Sequence, residues 1–251
     1  MTPTAFGPPP RQAQAHYSEV HVWCASLDNA AYPIEAYDKL LTDKERERAQ
    51  RFVMKRDRNR YVFSKVMLKT LIMSYAGLGS DELQYLSGPY GKPNLDASLS
   101  IGRLCFNMAD SAGYALFAFT LDREIGVDIE QIREIPEMER IVRLFFSEAE
   151  QAAFASMLPQ EKKRAFFNGW TRKEAFIKAL GVGLSMPLSK FEVSLAAGNP
   201  VDLVYLNKDI ASRGHWTIRD VSPSPEFSAA FAVEGSGFTI RCWNLCSGML
   251  G

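Results

Sequence analysis

The stretch WTRKEAFIKALG, residues 170–181, closes the strongest predicted helix of the chain. The helical pattern runs through residues 161–180, and Gly181 follows its last periodic apolar residue. Glycine readily adopts the left-handed backbone of a helix C-cap, so the helix is predicted to end there. The spacing of the charged residues in this helix can therefore be interpreted as positions on its faces.

One face of this helix combines an acid with cations. Trp170, Glu174 and Lys178 are spaced four residues apart and share that face, while Lys173 lies one residue round from Glu174. Two interpretations fit this pattern. The residues form a solvated surface with an ordinary Glu–Lys pair, or Glu174 is a metal ligand or general base and the lysines hold phosphate groups.

A second motif, GVDIE at residues 126–130, predicts a β-strand. Side chains two residues apart point to the same face of a strand, so Asp128 and Glu130 should be neighbours while Val127 and Ile129 face the core. Neighbouring carboxylates repel each other unless a cation lies between them, and Mg²⁺ typically takes one or two carboxylates together with phosphate oxygens. The motif therefore indicates either a metal site or an acidic strand face in contact with solvent.

Bulk composition limits the class of protein. The chain has 251 residues, of which 47% are apolar and 23% charged, and its formal net charge is zero. These values are typical of a globular protein with one large domain or two modest ones. With zero net charge, the chain has no overall electrostatic field that would attract nucleic acid or a membrane. Four cysteines are too few for a disulfide scaffold, and neither a membrane-spanning apolar run nor an apolar signal core is found. We therefore expect a cytoplasmic protein.

Helix signals occur in both halves of the chain. Capping boxes at Thr42–Glu45 and Ser147–Glu150 each predict the start of a helix. Asp57 is predicted to cap a further helix that ends before Gly77.

Strand signals follow the helices in each half. The apolar runs 115–119 and 125–129 predict a hairpin. Further strands are predicted at residues 21–24, 190–195, 201–206, 216–221, 228–233 and 238–245. This order favours an α+β fold over a doubly wound parallel sheet. The predicted division is a flexible arm at residues 1–18 and two subdomains at 19–121 and 122–251.

The segment 44–60 is rich in arginine and lysine, but acids interleave with these cations. Much of it is interpreted as a solvated mixed-charge face, and those acids weaken the alternative of nucleic-acid binding. An arginine that turns inward would suit a phosphate monoester, because a guanidinium donates to two oxygens at once. The histidines are isolated at His16, His21 and His215, which gives little support to histidine-based catalysis.

Several short motifs follow one another in a definite order along residues 40–195. The two most specific are GVDIE and the pattern W-x-x-K-E-A-x-x-K of residues 170–178. The others are Arg48 with Phe52, Arg60-Tyr61, Tyr90-Gly91-Lys92-Pro93, residues 106–111, and Phe145-Phe146-Ser147 with Glu150. This series resembles the 4′-phosphopantetheinyl transferases of the surfactin-synthetase type.

The resemblance implies an α+β fold that is a pseudo-two-fold monomer of two similar halves, with the active site in the cleft between them. It implies an enzyme that transfers 4′-phosphopantetheine from coenzyme A to a serine hydroxyl of an apo acyl or peptidyl carrier protein. The implied second product is adenosine 3′,5′-bisphosphate, and the implied cofactor is Mg²⁺, or Mn²⁺ in its place. The implied carrier protein belongs to fatty acid, polyketide or nonribosomal peptide synthesis.

The resemblance also assigns residues. By their positions in the motifs, Asp128, Glu130 and Glu174 are the implied metal ligands, and Glu174 and Lys178 are the implied catalytic residues. The implied contacts to coenzyme A are Arg48, Arg60, Lys92, Asn107, Asp110, Lys173 and Lys178. Within this set, Arg48 and Arg60 are expected to hold the adenosine 3′-phosphate, and the two lysines of the helix are expected to hold the leaving phosphate.

Two positions depart from the family's F-N-x-S-H-S pattern at residues 106–111. Ala109 stands where the family has serine, and Asp110 stands where it has a histidine that touches the phosphates of coenzyme A. A carboxylate repels phosphate, so Asp110 is interpreted as a position in the pocket and not as a phosphate ligand. These departures leave open the alternative of a catalytically inactive module that binds coenzyme A.

Overall fold

The chain forms a mixture of helices and strands, and most of the strand pairs are antiparallel. The structure, a computed structural model, describes residues 4–10, 13–28, 39–79, 83, 85–87, 93–95, 103–196, 203–205 and 214–245. Their helices are α1 (Asp43–Gln50), α2 (Lys55–Ala76), α3 (Met138–Phe145), α4 (Glu148–Ser156) and α5 (Pro159–Leu180). Their strands are β1 (Glu19–Ser26), β2 (Tyr85–Ser87), β3 (Pro93–Leu95), β4 (Leu104–Ser111), β5 (Tyr114–Leu121), β6 (Ile125–Gln131), β7 (Phe191–Val193), β8 (Leu203–Tyr205), β9 (Trp216–Asp220), β10 (Phe227–Glu234) and β11 (Thr239–Asn244). The predicted α+β class is confirmed.

Two sheets form the centre of the structure. The first sheet has the strand order β11-β1-β5-β4, and the second has the order β6-β10-β9. Strand β11 pairs in parallel with β1, so the last strand of the described chain lies beside the first. The predicted boundaries of the arm and the two subdomains, and the pseudo-two-fold relation between halves, stay predictions.

The two sheets and two long helices pack in four layers. Helix α2 covers the outer face of the first sheet, the two sheets pack face to face, and α5 covers the outer face of the second sheet. Representative pairs in these three core clusters are Met67 with Phe117, Val22 with Val127, and Phe176 with Ala230. No helix in the described ranges is long and apolar enough to cross a membrane.

The predicted helix ends are confirmed at most positions. Thr42 and Ser147 each form a complete capping box, and Gly77 and Gly181 end their helices with φ of 67° and 65°. The prediction for Asp57 is wrong, because α2 begins at Lys55 with extended Met54 at its N-cap. The carbonyl of Met54 accepts hydrogen bonds from the next turn, so Asp57 lies inside the helix.

The predicted hairpin between residues 115–119 and 125–129 is also wrong. Strand β5 pairs with β1 and β4 in the first sheet, whereas β6 pairs with β10 in the second. Between them the backbone turns at Asp122, where φ is 54°. The actual hairpin joins β4 to β5 through Ala112 and Gly113, both with positive φ.

A largely buried ion pair joins α1 to α2. Lys69 Nζ lies 2.6 Å from Glu45 Oε2 and also donates to the carbonyl of Leu40. Burial raises the pKa of Glu45, but hydrogen bonds from Lys69 and Thr42 outweigh it, so the pKa lies below the ordinary value of 4.5. The carboxylate therefore stabilises the fold at neutral pH, and this contribution is lost as the pH falls through the lowered pKa.

We expect Glu45→Gln to lower the free energy of unfolding by about 1–3 kcal/mol at neutral pH, because it leaves the Lys69 ammonium buried without a carboxylate. The difference from the wild type should shrink as the pH falls below 4.5. Urea unfolding at neutral and acid pH measures both values. Glu47→Gln, at an exposed position of the same helix, is the control. Equal losses at both pH values would contradict the ion-pair assignment.

Candidate active site

A backbone contact between β6 and α5 positions the predicted acidic residues. Gly126, Asp128 and Glu130 alternate along β6 on the face toward α5. A Cβ atom at Gly126 would lie 2.1 Å from the carbonyl oxygen of Ala175 and 2.3 Å from the nitrogen of Ala179. Only glycine therefore allows the helix backbone to rest directly on the strand.

Asp128 lies at the centre of this contact. Lys178 Nζ is 2.7 Å from Asp128 Oδ1 and 3.3 Å from the carbonyl oxygen of Val127. The other carboxylate oxygen, Oδ2, is buried and has no hydrogen-bond partner among the residues that the structure describes. A buried polar atom without a partner is costly, so this oxygen is suited to bind a ligand.

Two further carboxylates lie close enough to Asp128 to interact with it. Glu130 accepts a hydrogen bond of 3.0 Å from Ser111 Oγ, and its pKa is raised by burial and then by repulsion from Asp128. The pKa of Glu174 is raised by burial, by Asp128 and, more weakly, by Glu130. Burial also raises the pKa of Asp128, despite the nearby Lys178. The three groups resist ionising together, and a cation would relieve this repulsion.

The donor chemistry of these three residues fits Mg²⁺. All of them offer carboxylate oxygens, the ligands that Mg²⁺ takes together with water and phosphate oxygens. No group of three or more His, Cys, Asp or Glu side chains in the described ranges is already arranged to hold an ion. The three residues therefore fit Mg²⁺ by the chemistry of their donor atoms.

Lys173 lies away from this cluster. Its side chain is fully buried, and its ammonium contacts Glu150 Oε2 at 2.8 Å and the carbonyl oxygens of Leu188 and Phe191 at 2.8 and 2.7 Å. These three acceptors match the three N–H donors of a lysine. One residue along a helix turns the side chain by about 100°, which is why Lys173 and Glu174 point to different surroundings.

Two predicted contacts of the adenosine phosphate lie around α1 and α2. Arg60 donates from Nε and Nη2 to the two carboxylate oxygens of Asp28 at 2.6 and 2.5 Å. Exposed Arg48 lies over Tyr61, with Cζ 5.3 Å from the ring centroid. Arg48 also lines a cavity of about 590 Å³, whose described lining residues are Lys44, Glu47, Arg48, Arg51 and Phe52.

The other predicted contacts of coenzyme A have different positions. Asn107 is buried, and its Oδ1 accepts a hydrogen bond of 2.9 Å from the backbone N–H of Val127, so it ties β4 to β6. Asp110 is exposed near the end of β4. Lys92 lies outside the described residues.

Sequence reasoning missed three partners of the predicted residues. Asp28 pairs with Arg60 across 32 positions of sequence, and Ser111 donates to a carboxylate on another strand. Glu150 was predicted as part of a capping box and of a family motif, but not as a partner of Lys173, which its carboxylate binds. The capping box predicted the position of Glu150 at the start of a helix. No feature of the sequence predicts the three long-range pairings.

Comparison with known proteins identifies the family of the chain. Residues 124–232 match the model of the 4′-phosphopantetheinyl transferase superfamily, and residues 31–121 match that of the 4′-phosphopantetheinyl transferase N-terminal region. The 4′-phosphopantetheinyl transferase ffp of Bacillus subtilis is 32% identical over 164 residues, which are 64% of this chain and 70% of that one. The chain is a 4′-phosphopantetheinyl transferase.

Two further relatives carry the same name. The 4′-phosphopantetheinyl transferase HetI of Nostoc is 29% identical over 226 residues, covering 90% of this chain and 92% of that one. The 4′-phosphopantetheinyl transferase Sfp of Bacillus subtilis is 29% identical over 169 residues, 67% of this chain and 73% of that one. The predicted family and transferase activity are confirmed, and the comparisons give no support to an inactive module. The roles of individual site residues stay predictions.

The contact at Gly126 can be tested in this transferase. Gly126→Ala should push α5 away from β6, because the new methyl group meets backbone atoms that cannot rotate away. We expect a loss of about 1–3 kcal/mol or more in the free energy of unfolding, together with loss of phosphopantetheine transfer. Gly7→Ala is the control, since a Cβ there would lie 3.9 Å from the carbonyl oxygen of Cys242, which is an ordinary van der Waals contact. Wild-type stability and activity in Gly126→Ala would show that the contact is dispensable.

The surroundings of Lys173 predict a structural role. Lys173→Met should lower the free energy of unfolding by about 3–5 kcal/mol, because it leaves Glu150 buried without its partner. Adding Glu150→Gln should recover part of that loss. Lys163 lies on the same helix as Lys173 and forms an exposed pair with Glu134, so Lys163→Met should cost less than about 1 kcal/mol.

Thermal unfolding and the KM for coenzyme A together decide between the two roles of Lys173. A direct phosphate contact would leave stability nearly unchanged and raise the KM. That outcome would contradict the structural assignment.

Proposed function

We propose that this transferase is magnesium-dependent and that Asp128, Glu130, Glu174 and Lys178 form its reaction centre. The single observation that carries the proposal is the unpartnered, buried Oδ2 of Asp128 within a cluster of three mutually repelling carboxylates. Mg²⁺ is the ion that suits such oxygen donors. Asp128, Glu130 and Glu174 would hold it, and Mn²⁺ could replace it.

The chemistry requires charge neutralisation, because a serine oxygen must approach the pyrophosphate of coenzyme A. Magnesium bound at the carboxylates would neutralise part of this charge and polarise the phosphoryl group. The serine oxygen forms a bond to the phosphorus that carries pantetheine, and the bond from that phosphorus to the bridging oxygen of the pyrophosphate breaks. Adenosine 3′,5′-bisphosphate leaves with the electron pair of the broken bond.

Glu174 is the proposed general base of this step. Its carboxylate takes the proton of the serine hydroxyl, directly or through a water. Burial and then Asp128 raise the pKa of Glu174 in the metal-free protein. We assign it the role of base because it lies beside Asp128 and Glu130, at the proposed magnesium site.

Lys178 is the proposed electrostatic stabiliser of the leaving group. Its side chain is 31% exposed, so the ammonium reaches both Asp128 and the solvent side of the cluster. From there it donates hydrogen bonds to the oxygen that leaves with adenosine 3′,5′-bisphosphate.

The remaining predicted residues divide into two groups in this proposal. Arg48, Arg60 and Lys92 contact the nucleotide end of coenzyme A, with Asp110 at the edge of that pocket. Asn107 and Lys173 act through other residues, since Asn107 binds the backbone of β6 and Lys173 binds Glu150. We assign both of them positioning roles.

The proposed acceptor is an apo acyl or peptidyl carrier protein, and one chain is proposed to carry the whole site as a monomer. The resemblance to enzymes of the surfactin-synthetase type suggests tolerance of several carriers. Incubating the enzyme with carriers from fatty acid, polyketide and nonribosomal peptide systems would define that range.

Glu174→Gln tests the proposed base. The substitution removes the proton acceptor while keeping the shape of the side chain, so transfer should fall by at least about 100-fold. Mass spectrometry of an apo carrier incubated with coenzyme A and Mg²⁺ measures the added phosphopantetheine. Glu161→Gln, at an exposed position of α5, should transfer at the wild-type rate. Near-normal transfer by a folded Glu174→Gln variant would remove this residue from the mechanism.

A further inference from the structure

Lys65 of α2 is a half-buried cation that has no carboxylate partner among the described residues. Its Nζ lies 3.7 Å from the thioether sulfur of Met108 and 5.7 Å from the ring centroid of Tyr61. A thioether is a weak acceptor, so the three N–H donors of this ammonium are poorly satisfied. A half-buried cation in such surroundings is suited to bind an anion from outside the fold.

Two other buried lysines of the chain have ammonium groups with carboxylate and carbonyl partners, as expected for a structural role. Lys69, one turn later on α2, binds Glu45 and the carbonyl of Leu40. Lys173 binds Glu150 and two further carbonyl oxygens. Lys65 differs from both because its strongest contacts are to sulfur and an aromatic face.

The position of Lys65 relative to other cations indicates which anion it suits. Arg48 and Lys65 both lie within 6 Å of the ring centroid of Tyr61, at 5.3 and 5.7 Å. Arg60 belongs to the same region, since the carboxylate of Asp110 interacts with both Arg60 and Lys65. Arg48 and Lys65 thus lie beside one aromatic ring, and Lys65 and Arg60 are both influenced by one exposed carboxylate.

The electrostatic surroundings of Lys65 favour the binding of an anion beside its ammonium group. Burial is the largest influence and lowers the pKa of Lys65, and the neighbouring Arg48 lowers it further. Glu45 and Asp110 raise the pKa of Lys65, but their effect is smaller than that of burial. A dianionic phosphate beside the ammonium would compensate both the burial and the repulsion between cations.

We propose that Lys65 is a phosphate ligand of this transferase and contacts the 3′-phosphate monoester of coenzyme A together with Arg48 and Arg60. The inference rests on the proposed function, which assigns those two arginines to the nucleotide end. It also accounts for Asp110, because the ammonium of Lys65 supplies positive charge where the aspartate replaces the family's histidine. A compact ammonium suits one vertex of a tetrahedral phosphate, while each guanidinium spans two oxygens.

Comparing coenzyme A with 3′-dephospho-coenzyme A isolates this contact, since the two ligands differ only in the 3′-phosphate. Calorimetric titration in the presence of Mg²⁺ measures both Kd values for the wild type and for Lys65→Met. We expect Lys65→Met to weaken binding of coenzyme A about tenfold or more and to leave binding of the dephospho form within about twofold.

Two further variants complete the experiment. Lys65→Arg keeps the positive charge and should retain most of the affinity for coenzyme A. Lys55→Met removes an exposed lysine from the same helix and should match the wild type with both ligands. If Lys65→Met does not fold, the same two Kd values are measured for Lys65→Gln, which removes the charge but keeps a polar side chain, and the same selective loss of affinity for coenzyme A is expected.

Two outcomes would overturn the inference. Equal weakening of both ligands would make Lys65 a structural residue, and unchanged binding of coenzyme A would exclude any phosphate contact. Phosphopantetheine transfer by the wild type is measured separately on an apo carrier, so absence of transfer would count against the proposed function and not against Lys65 alone.

Discussion

The proposed site of this transferase depends on the direct contact between the backbones of β6 and α5 at Gly126. Because Gly126 has no side chain, the carbonyl of Ala175 and the nitrogen of Ala179 occupy the space that a Cβ would need. This close approach brings Lys178 within 2.7 Å of Asp128 and lets Glu174 interact with the same carboxylate. A strand and a helix that are about 50 residues apart in sequence thus both contribute to the proposed reaction centre.

The four-layer packing explains how this centre tolerates unfavourable electrostatics. Strand β6 lies between α5 and the first sheet, so its acidic face is buried while its apolar face anchors it in the core. Asn107 adds a hydrogen bond from β4 to the backbone of β6 and ties the two sheets together. Carboxylates that repel one another are held in place by these apolar and backbone contacts, which do not depend on the charge state of the site.

Lysines of the same chain have different roles because their surroundings differ. Lys69 and Lys173 have carboxylate and carbonyl partners and act as structural cations. Lys178 pairs with Asp128 but remains partly exposed, which suits a residue that exchanges partners during a reaction. Lys65 contacts only a thioether and an aromatic ring among the described residues, which suits an external anion. Residue type alone does not distinguish these cases.

The sequence by itself determined the helix ends and the alternation of side chains along β6, because both depend on interactions between residues close together in the chain. The capping boxes at Thr42 and Ser147, the glycine end of α5, and the alternation in GVDIE depend only on neighbours a few residues away. The family motifs likewise identified the transferase. The tertiary structure alone decided that β6 pairs with β10 instead of β5, and that Lys173 turns into the core beside Glu150. Strand partners and buried ion pairs are decided by packing between segments that are distant in sequence. The pattern of residues within one segment therefore does not predict its partner.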